Sequence, residues 1–214
     1  MKKILAAATA ALVMVLVLAA SAPAEEKPAH PPEDAVKLLE ESIDEVLSVL
    51  KNQDLTIEEQ KEKIEAVIDP VFNYGLIARL SLGPRNWRQL DREQREIFVE
   101  RFVRRLKDSY FENIAMVQGD AETQVEIREK TVQENRVHVP IRASMKGSSM
   151  DMLYKFHLSE GEGWRVYDVE ISGVSIVASY RSQFNEVMRD LSAEEMLEQL
   201  RTMEVDTPEI ENQQ

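Results

Sequence analysis

Residues 137–158 read VHVPIRASMKGSSMDMLYKFHL, and two alternating runs within this stretch predict a β-hairpin. Apolar residues occupy every second position on both sides of residues 146–149, which is the period of a strand with one buried face. The sequence Lys-Gly-Ser-Ser at 146–149 is typical of a tight turn. Pairing Lys146 with Ser149 gives partners whose numbers sum to 295 and aligns both apolar faces, so we predict that register.

Weaker strand patterns flank the hairpin at about 123–129 and 164–171. The second one opens the stretch WRVYDVEISGVSIVASYRSQF at 164–184, in which an apolar strand runs into a Ser-Gly turn and then an amphipathic helix. The apolar positions of this strand change parity near Tyr167. This change predicts a β-bulge there, or a strand that is covered on both faces.

The rest of the chain carries the period of amphipathic helices and the residues that start and end them. Three capping boxes, at Thr56–Glu59, Asp91–Gln94 and Ser192–Glu195, mark helix starts. The pair Gly83-Pro84 predicts a break after a helix that covers about 71–80. The predicted helices cover about 32–50, 56–69, 71–80, 91–117, 174–190 and 192–205.

The order of helices, four consecutive strands and further helices predicts an α+β fold with a four-stranded antiparallel sheet. We predict one domain over 33–205, with a helical part at 33–118, a sheet at 122–172 and closing helices at 174–205. The apolar face of the sheet must be covered, and the helices with Phe98 and Phe102 and with Tyr180 and Phe184 can cover it. Residues 206–214 are predicted to be a disordered tail.

The N-terminus has the features of a cleaved signal peptide over residues 1–24. Lys2 and Lys3 precede an apolar run, and a small-residue stretch follows that predicts cleavage after Ala24. The alternative is an uncleaved membrane anchor, since the apolar run is close to the shortest spanning length. Residues 25–32 are rich in Pro, Ala and charge, and we expect a tether there. An exported, periplasmic protein is therefore predicted.

Composition excludes several classes of function. The 214-residue chain has a net charge of -13, and removal of the signal peptide with its two lysines lowers this to -15. Such a surface repels nucleic acid and anionic membranes, so we predict no nucleic-acid partner. The chain has no cysteine, which excludes thiol enzymes and cysteine-ligated metal sites.

The sequence contains few candidates for chemistry. In the predicted register His138 faces His157, but no third metal ligand is evident, so we expect a solvated pair and no metal site. Asp168 is either a strand carboxylate paired with Arg165 or Arg181, or a base in a pocket. Arg181 is either a structural ion-pair partner or a phosphate-binding residue. We predict no catalytic residues and no cofactor.

Two separated groups of residues resemble the MlaC family, the periplasmic phospholipid-binding shuttles of the Mla system, which are also called the toluene-tolerance family. The first group comprises Trp164 to Val169, Gly173 to Ser175 and Tyr180 to Phe184, and the second comprises Leu82, Gly83, Trp87, Gln94, Arg95, Phe98 and Phe102. The resemblance implies a cone-like α+β fold in which helices wrap a curved antiparallel sheet. It also implies an interior apolar cavity for the acyl chains of a phospholipid.

The resemblance further implies a carrier that moves phospholipid between the outer and inner membranes and so maintains outer-membrane lipid asymmetry. The lipid would be cargo and not a cofactor. The implied partners are an outer-membrane lipoprotein-porin complex and an inner-membrane ABC transporter complex with its substrate-presenting ring protein. Two alternatives are a chaperone-like or interaction module that binds apolar surfaces, and a small cone-fold enzyme that uses Asp168 with Tyr167.

Periodicity selects the residues that we expect to line this cavity, from the apolar face of the sheet and from the two covering helices. They are Phe98, Phe102, Leu106, Val139, Ile141, Met152, Tyr154, Phe156, Val169, Tyr180 and Phe184. Arg181 is the candidate for a headgroup contact, with the structural role as its alternative.

Overall fold

The computed structural model of the protein describes residues 30–115, 123–145 and 148–202. Within these ranges the chain forms six helices and six strands. The helices are α1 (Pro32–Lys51), α2 (Ile57–Ile68), α3 (Tyr74–Trp87), α4 (Arg92–Ala115), α5 (Ile176–Asp190) and α6 (Ala193–Thr202). The strands are β1 (Gln124–Ile127), β2 (Thr131–Gln133), β3 (Arg136–Met145), β4 (Ser148–Ser159), β5 (Gly163–Ile171) and β6 (Val174–Ser175).

This element order confirms the predicted α+β class. The predicted signal peptide, most of the tether and the predicted tail lie outside the described residues. None of the helices within those residues is long and apolar enough to cross a membrane.

The sheet is antiparallel and larger than predicted. Its strands run in the order β1-β3-β4-β5-β6, and β2 also pairs with β3, so the prediction of four strands was wrong. The two extra strands are short, and each lies next to a turn that contains a residue with positive φ. Glu134 (φ 49°) lies in the turn between β2 and β3, and Ser172 (φ 50°) with Gly173 (φ 83°) turns the chain from β5 into β6. Strands of two or three residues are too short to show an alternating pattern.

The hairpin of β3 and β4 forms, but in a register two residues away from the predicted one. Val139 pairs with Tyr154 and Met145 with Ser148, so partner numbers sum to 293 and the predicted sum of 295 was wrong. A slip of two residues keeps every side chain on its own face of the sheet. The apolar pattern therefore cannot detect it, whereas a slip of one residue would reverse both faces.

The bulge predicted near Tyr167 is confirmed. Lys155 pairs with Asp168, but the next residue Phe156 pairs with Val166, so Tyr167 has no partner in the β4–β5 ladder. The extra residue explains the change of parity along β5. Because of it, Val166 and Val169 are both buried although they are an odd number of residues apart.

The three capping boxes form as the sequence predicts. Thr56 and Glu59 exchange hydrogen bonds between side chain and backbone at the start of α2. The equivalent pairs, Asp91 with Gln94 and Ser192 with Glu195, are present at the starts of α4 and α6. A capping residue of this kind contributes about 1 kcal/mol of stability, because it pairs backbone N–H groups that have no partner within the helix.

The third helix differs from the prediction. It begins after Asn73, whose side chain accepts a hydrogen bond from the Leu76 N–H at 2.9 Å, and it continues to Trp87 with a kink at Gly83. Gly83 has φ 79° and ψ 157°, a conformation that is open essentially to glycine alone. Pro84 lacks the N–H that a continuous helix would need. The Gly-Pro pair therefore bends α3 without ending it.

The core contains a cluster of aromatic rings between α4 and α5. Phe98 and Phe102 are stacked with centroids 5.6 Å apart, and Phe102 meets the ring of Tyr180 edge-on at 5.1 Å. Phe184 contacts both phenylalanines at 5.3 and 5.8 Å. All four side chains are buried, and such burial stabilises the fold by about 1.5–3 kcal/mol for each ring.

Candidate functional site

A cavity of about 370 Å³ lies between helices α1, α2 and α4 and one face of the sheet. Most of its wall is apolar. The helices contribute Leu39, Ile43, Val46, Leu47, Leu50, Ile64, Ile68, Ile77 and Leu106, and the strands contribute Val125, Ile141, Ala143, Met150, Met152, Tyr154, Val169 and Ile171. The segment between α2 and α3 adds Val71 and Phe72. Large apolar cavities with few polar groups are the usual binding sites for small ligands.

The structure brings five of the eleven residues selected by periodicity to this wall. They are Leu106, Ile141, Met152, Tyr154 and Val169. The other six lie in the packed core beside the cavity: Phe98, Phe102, Val139, Phe156, Tyr180 and Phe184. The physical reason is that the helices rest directly on one part of the sheet and stand away from another part. The apolar period is the same in both parts.

The side of the cavity formed by α1 and α2 was missed by sequence reasoning. Ile43, Val46 and Leu47 follow the apolar stripe of α1, and Ile64 and Ile68 follow that of α2. The stripe of α1 was visible in the sequence. However, an apolar stripe that faces a cavity has the same period as one that faces a core, so no local signal separates the two.

A cluster of charged side chains on the wall lies where α2 meets α4. The Lys107 ammonium is 2.5 Å from the Asp69 carboxylate and 4.0 Å from that of Glu65. It also lies 5.0 Å from the centre of the Tyr74 ring. Burial, together with the charge of Asp69, raises the pKa of Tyr74, so that hydroxyl stays neutral. Lys107 and Glu65 both line the cavity, so charge reaches the wall at this point.

Two hydroxyl groups of wall residues, those of Tyr110 and Thr123, are buried and have no hydrogen-bond partner within the described ranges. A buried polar group without a partner costs about 1–3 kcal/mol. Buried polar groups of this kind, whose cost is not offset locally, are expected at functional sites. They support this cavity as the candidate site.

Asp168 contributes to the wall, but its carboxylate is already occupied. It accepts hydrogen bonds from the Lys155 ammonium at 3.0 Å, the Ser175 hydroxyl at 2.8 Å and the Val177 N–H at 3.2 Å. Lys155 also pairs with Glu170. The partner of Asp168 is therefore Lys155. The predicted pairing with Arg165 or Arg181 was wrong. The carboxylate secures the start of α5 against β5.

The two histidines surround Tyr167 and do not face each other across the ladder. His138 pairs with Lys155 and His157 with Arg136, because the register differs by two from the predicted one. The Nε2 atom of His138 is 3.5 Å from the Tyr167 hydroxyl, and the His157 ring meets the Tyr167 ring edge-on at 6.2 Å. Burial lowers the pKa of both imidazoles. No group of three metal-ligating side chains occurs in the part of the chain that the structure describes.

Arg181 lies away from the cavity wall and contacts the kink in α3. Its Nε donates a hydrogen bond to the Leu80 carbonyl oxygen at 2.8 Å. Its side chain passes over Gly83, where an added Cβ would lie 3.4 Å from the Arg181 Cγ. The guanidinium thus pairs a carbonyl beside the break in the helix, which is a structural contact.

Comparison with known proteins finds one family model and solved structures to which this chain is similar. A family model described as "MlaC protein" matches residues 40–202, a range that includes most of α1 and all later elements. A phospholipid-binding protein from Ralstonia solanacearum, solved in complex with a phospholipid, superposes with a TM-score of 0.69 at 22% sequence identity. The match covers 78% of this chain and 94% of that one, which shows that the two share a fold.

A second solved structure is an NTF-2 like protein of unknown function from Silicibacter pomeroyi. It matches at 18% identity over 30% of this chain and 56% of that one, with a TM-score of 0.25. A likeness at this level carries no argument about the fold or the function.

Proposed function

The chain belongs to the MlaC family, and on this premise we propose that it is a non-enzymatic carrier that binds a phospholipid. The acyl chains lie in the cavity between α1, α2, α4 and the sheet. The observation that carries this proposal is the cavity itself, because its wall is almost wholly apolar over about 370 Å³. The Ralstonia solanacearum protein, which binds a phospholipid, supports the choice of ligand through its shared fold.

The size of the cavity suits an acyl chain. A cavity of about 150 Å³ binds benzene, which corresponds to roughly 25 Å³ for each carbon atom. On this scale 370 Å³ accommodates about one chain of 15 carbons. A second long chain requires the wall to move outward, and α2, which packs mainly against α1, is the part of the wall best placed to do so.

The energetics of transfer favour release in direct contact with a partner. About 30 methylene groups at about 0.8 kcal/mol each give roughly 24 kcal/mol for moving two acyl chains from water into an apolar site. Release of the lipid into water is therefore prohibitive. Exchange between a membrane and the cavity is not, since both environments are apolar.

We place this exchange in the periplasm, after removal of residues 1–24. The partners in this proposal are an outer-membrane lipoprotein-porin complex and an inner-membrane ABC transporter with its substrate-presenting ring protein. Transport between them would maintain the lipid asymmetry of the outer membrane. The acidic charge of the chain fits this role, because it limits adsorption to anionic lipid surfaces between the two docking events.

The contacts of Asp168 favour a carrier over the enzyme alternative. A general base needs a carboxylate oxygen within reach of a substrate proton. Both oxygens of Asp168 instead accept hydrogen bonds from Lys155, Ser175 and Val177. We therefore expect Asp168→Asn to lower stability and to abolish no reaction.

The test is native mass spectrometry of the protein purified from cells, followed by extraction of its lipids. We expect a bound phospholipid that accompanies the folded protein and is lost on unfolding. Recovery of no phospholipid, in native spectra or in the extract, would contradict the proposal. If a peptide displaced an apolar-site dye and phospholipids did not, the chaperone-like alternative would replace it.

A further inference from the structure

A phospholipid carries a phosphate as well as acyl chains, and the cavity wall offers a cation for it. Within the described ranges, Lys107 is the one basic residue among those that line the cavity. The other charged wall residues are Glu65 and Asp168, and Asp168 is paired with Lys155. A phosphate that follows its acyl chains to this cavity therefore meets one ammonium group on the wall.

Lys107 lies where the wall reaches the surface. Its side chain is 18% exposed, and its partners Glu65 and Asp69 are 32% and 46% exposed. By comparison, Asp168 is 7% exposed on the same wall. The ammonium of Lys107 is thus accessible to a headgroup that stays in water while the chains enter the cavity, which is the arrangement that an amphiphilic ligand requires.

The present contacts of Lys107 leave it able to bind an anion. Its ammonium has three N–H donors, and the Asp69 carboxylate at 2.5 Å uses one of them. The Glu65 carboxylate at 4.0 Å is too far away for a hydrogen bond. The centre of the Tyr74 ring lies 5.0 Å from the ammonium, which is within cation–π range. The ammonium can therefore donate a hydrogen bond to a phosphate oxygen while its bond to Asp69 stays intact.

We propose that Lys107 binds the phosphate group of the lipid at the rim of the cavity, an inference that rests on the proposed function. Arg181 was the earlier candidate for this role, but it donates to the Leu80 carbonyl and contacts Gly83 away from the wall. Lys107 connects phosphate recognition to the contact between α2 and α4, because Asp69 directly follows α2. The ligand class is a diacyl lipid with a phosphate ester.

The test compares two soluble lipids that have the same chains, dioctanoyl phosphatidylethanolamine and dioctanoylglycerol, by calorimetric titration into delipidated protein. Two eight-carbon chains match the cavity volume on the scale of roughly 25 Å³ for each carbon. We expect the wild type to bind the phosphate-bearing lipid about tenfold more tightly, as for a partly screened charge-assisted contact. In Lys107→Met this preference should disappear, and Lys107→Arg should retain most of it.

Lys61→Met is the matched control, because Lys61 makes the neighbouring ion pair from α2 to Asp108 of α4 at 2.6 Å and does not line the cavity. This variant should keep the tenfold preference. If Lys107 only joins the two helices, Lys107→Met and Lys61→Met will each weaken the binding of both lipids to the same extent. Urea denaturation of each variant verifies folding, and Lys107→Gln serves if Lys107→Met does not fold.

The outcomes separate the two proposals. Equal affinity of the wild type for both lipids overturns the role of Lys107 and leaves the carrier function in place. Failure of both lipids to bind contradicts the carrier function itself. Glycerol 3-phosphate, which has no chains, should not bind at millimolar concentration. If it binds as well as the lipid does, Lys107 belongs to a site for free phosphate esters and the lipid assignment is wrong.

Discussion

Single residues hold the helices together at the break in α3. Gly83 adopts φ 79° there, and the Arg181 side chain lies against it. The Nε of Arg181 donates a hydrogen bond to the Leu80 carbonyl oxygen. The two residues depend on each other, because a side chain at position 83 would be both strained and in contact with Arg181. The question of whether Arg181 binds a headgroup is answered best by separating stability from ligand affinity.

We expect Arg181→Met to lower the free energy of unfolding by about 1.5–3 kcal/mol, because a hydrogen bond from a charged donor to a partly buried carbonyl is lost. Phospholipid affinity of the folded fraction should not change. Urea denaturation and lipid titration measure the two quantities. Arg189→Met, an exposed change in the last turn of the same helix, is the control and should cost less than about 0.5 kcal/mol. A variant of Arg181 with full stability and weakened binding would point to a headgroup contact instead.

At the scale of elements, α1 and α2 form a cover over the cavity. They are tied to each other by the Gln60 side chain, which donates to the Val49 and Asn52 carbonyls at 3.3 and 3.0 Å. The contacts from α2 to α4 include the ion pairs of Lys61 with Asp108 and of Lys107 with Asp69. The inner faces of both helices contact the cavity, whereas α4 and α5 are joined by aromatic rings that meet edge-on. Within the described residues, α2 is therefore packed less firmly than α4.

We expect amide hydrogens of α2 to exchange faster than those of α4 in delipidated protein, since fewer packed contacts lower the free energy of local opening. Addition of phospholipid should slow exchange in α1 and α2 more than elsewhere, because the acyl chains fill the space beneath them. Hydrogen-exchange mass spectrometry with and without lipid measures both effects. The strands β3 and β4 serve as the internal reference. Equal protection of α2 and α4, unchanged by lipid, would show that the cover is rigid.

At the scale of the whole molecule, the separation between the helices and the sheet decides where the cavity lies. Where α4 and α5 rest on it, Val139 and Phe156 are fully buried. Farther along the same strands, Ile141, Ala143 and Met152 face the cavity. The same sheet face thus belongs to the packed core in one part and lines the cavity in another. A substitution that fills the cavity should therefore lower lipid binding without lowering the stability of the fold.

Ala143→Phe should reduce bound phospholipid at least tenfold and leave the free energy of unfolding unchanged or higher. The substituted ring takes up roughly 150 Å³, the volume of a cavity that holds benzene, and removes apolar surface from a void. Ser144→Phe places the same ring on the opposite face of β3 and should retain the lipid. Lipid extraction and thermal denaturation of both variants provide the measurements. Equal lipid content in the two variants would show that the chains lie elsewhere.

The sequence by itself determined three helix starts, the bulge, the hairpin and the fold class of this protein. The capping boxes at Thr56, Asp91 and Ser192 mark the starts of three helices. The parity change near Tyr167 marks the bulge in β5. Both signals are local, because each depends only on residues that are close together in the chain. The alternating runs around residues 146–149 also predict a hairpin, and their parity places each side chain on the correct face. The α+β class follows from the order of these elements.

Only the tertiary structure decided the register, the two short strands and the extent of the cavity. A slip of two residues in the hairpin preserves every apolar contact pattern, so local periodicity cannot exclude it. The same limit applies to the site. Leu106 and Phe102 share one stripe of α4, yet only Leu106 lines the cavity. Whether a buried apolar side chain meets another side chain or a void depends on the distance between the helices and the sheet. The arrangement of the helices depends on contacts between residues far apart in the chain, such as those of Lys107 with Asp69 and of Phe102 with Tyr180.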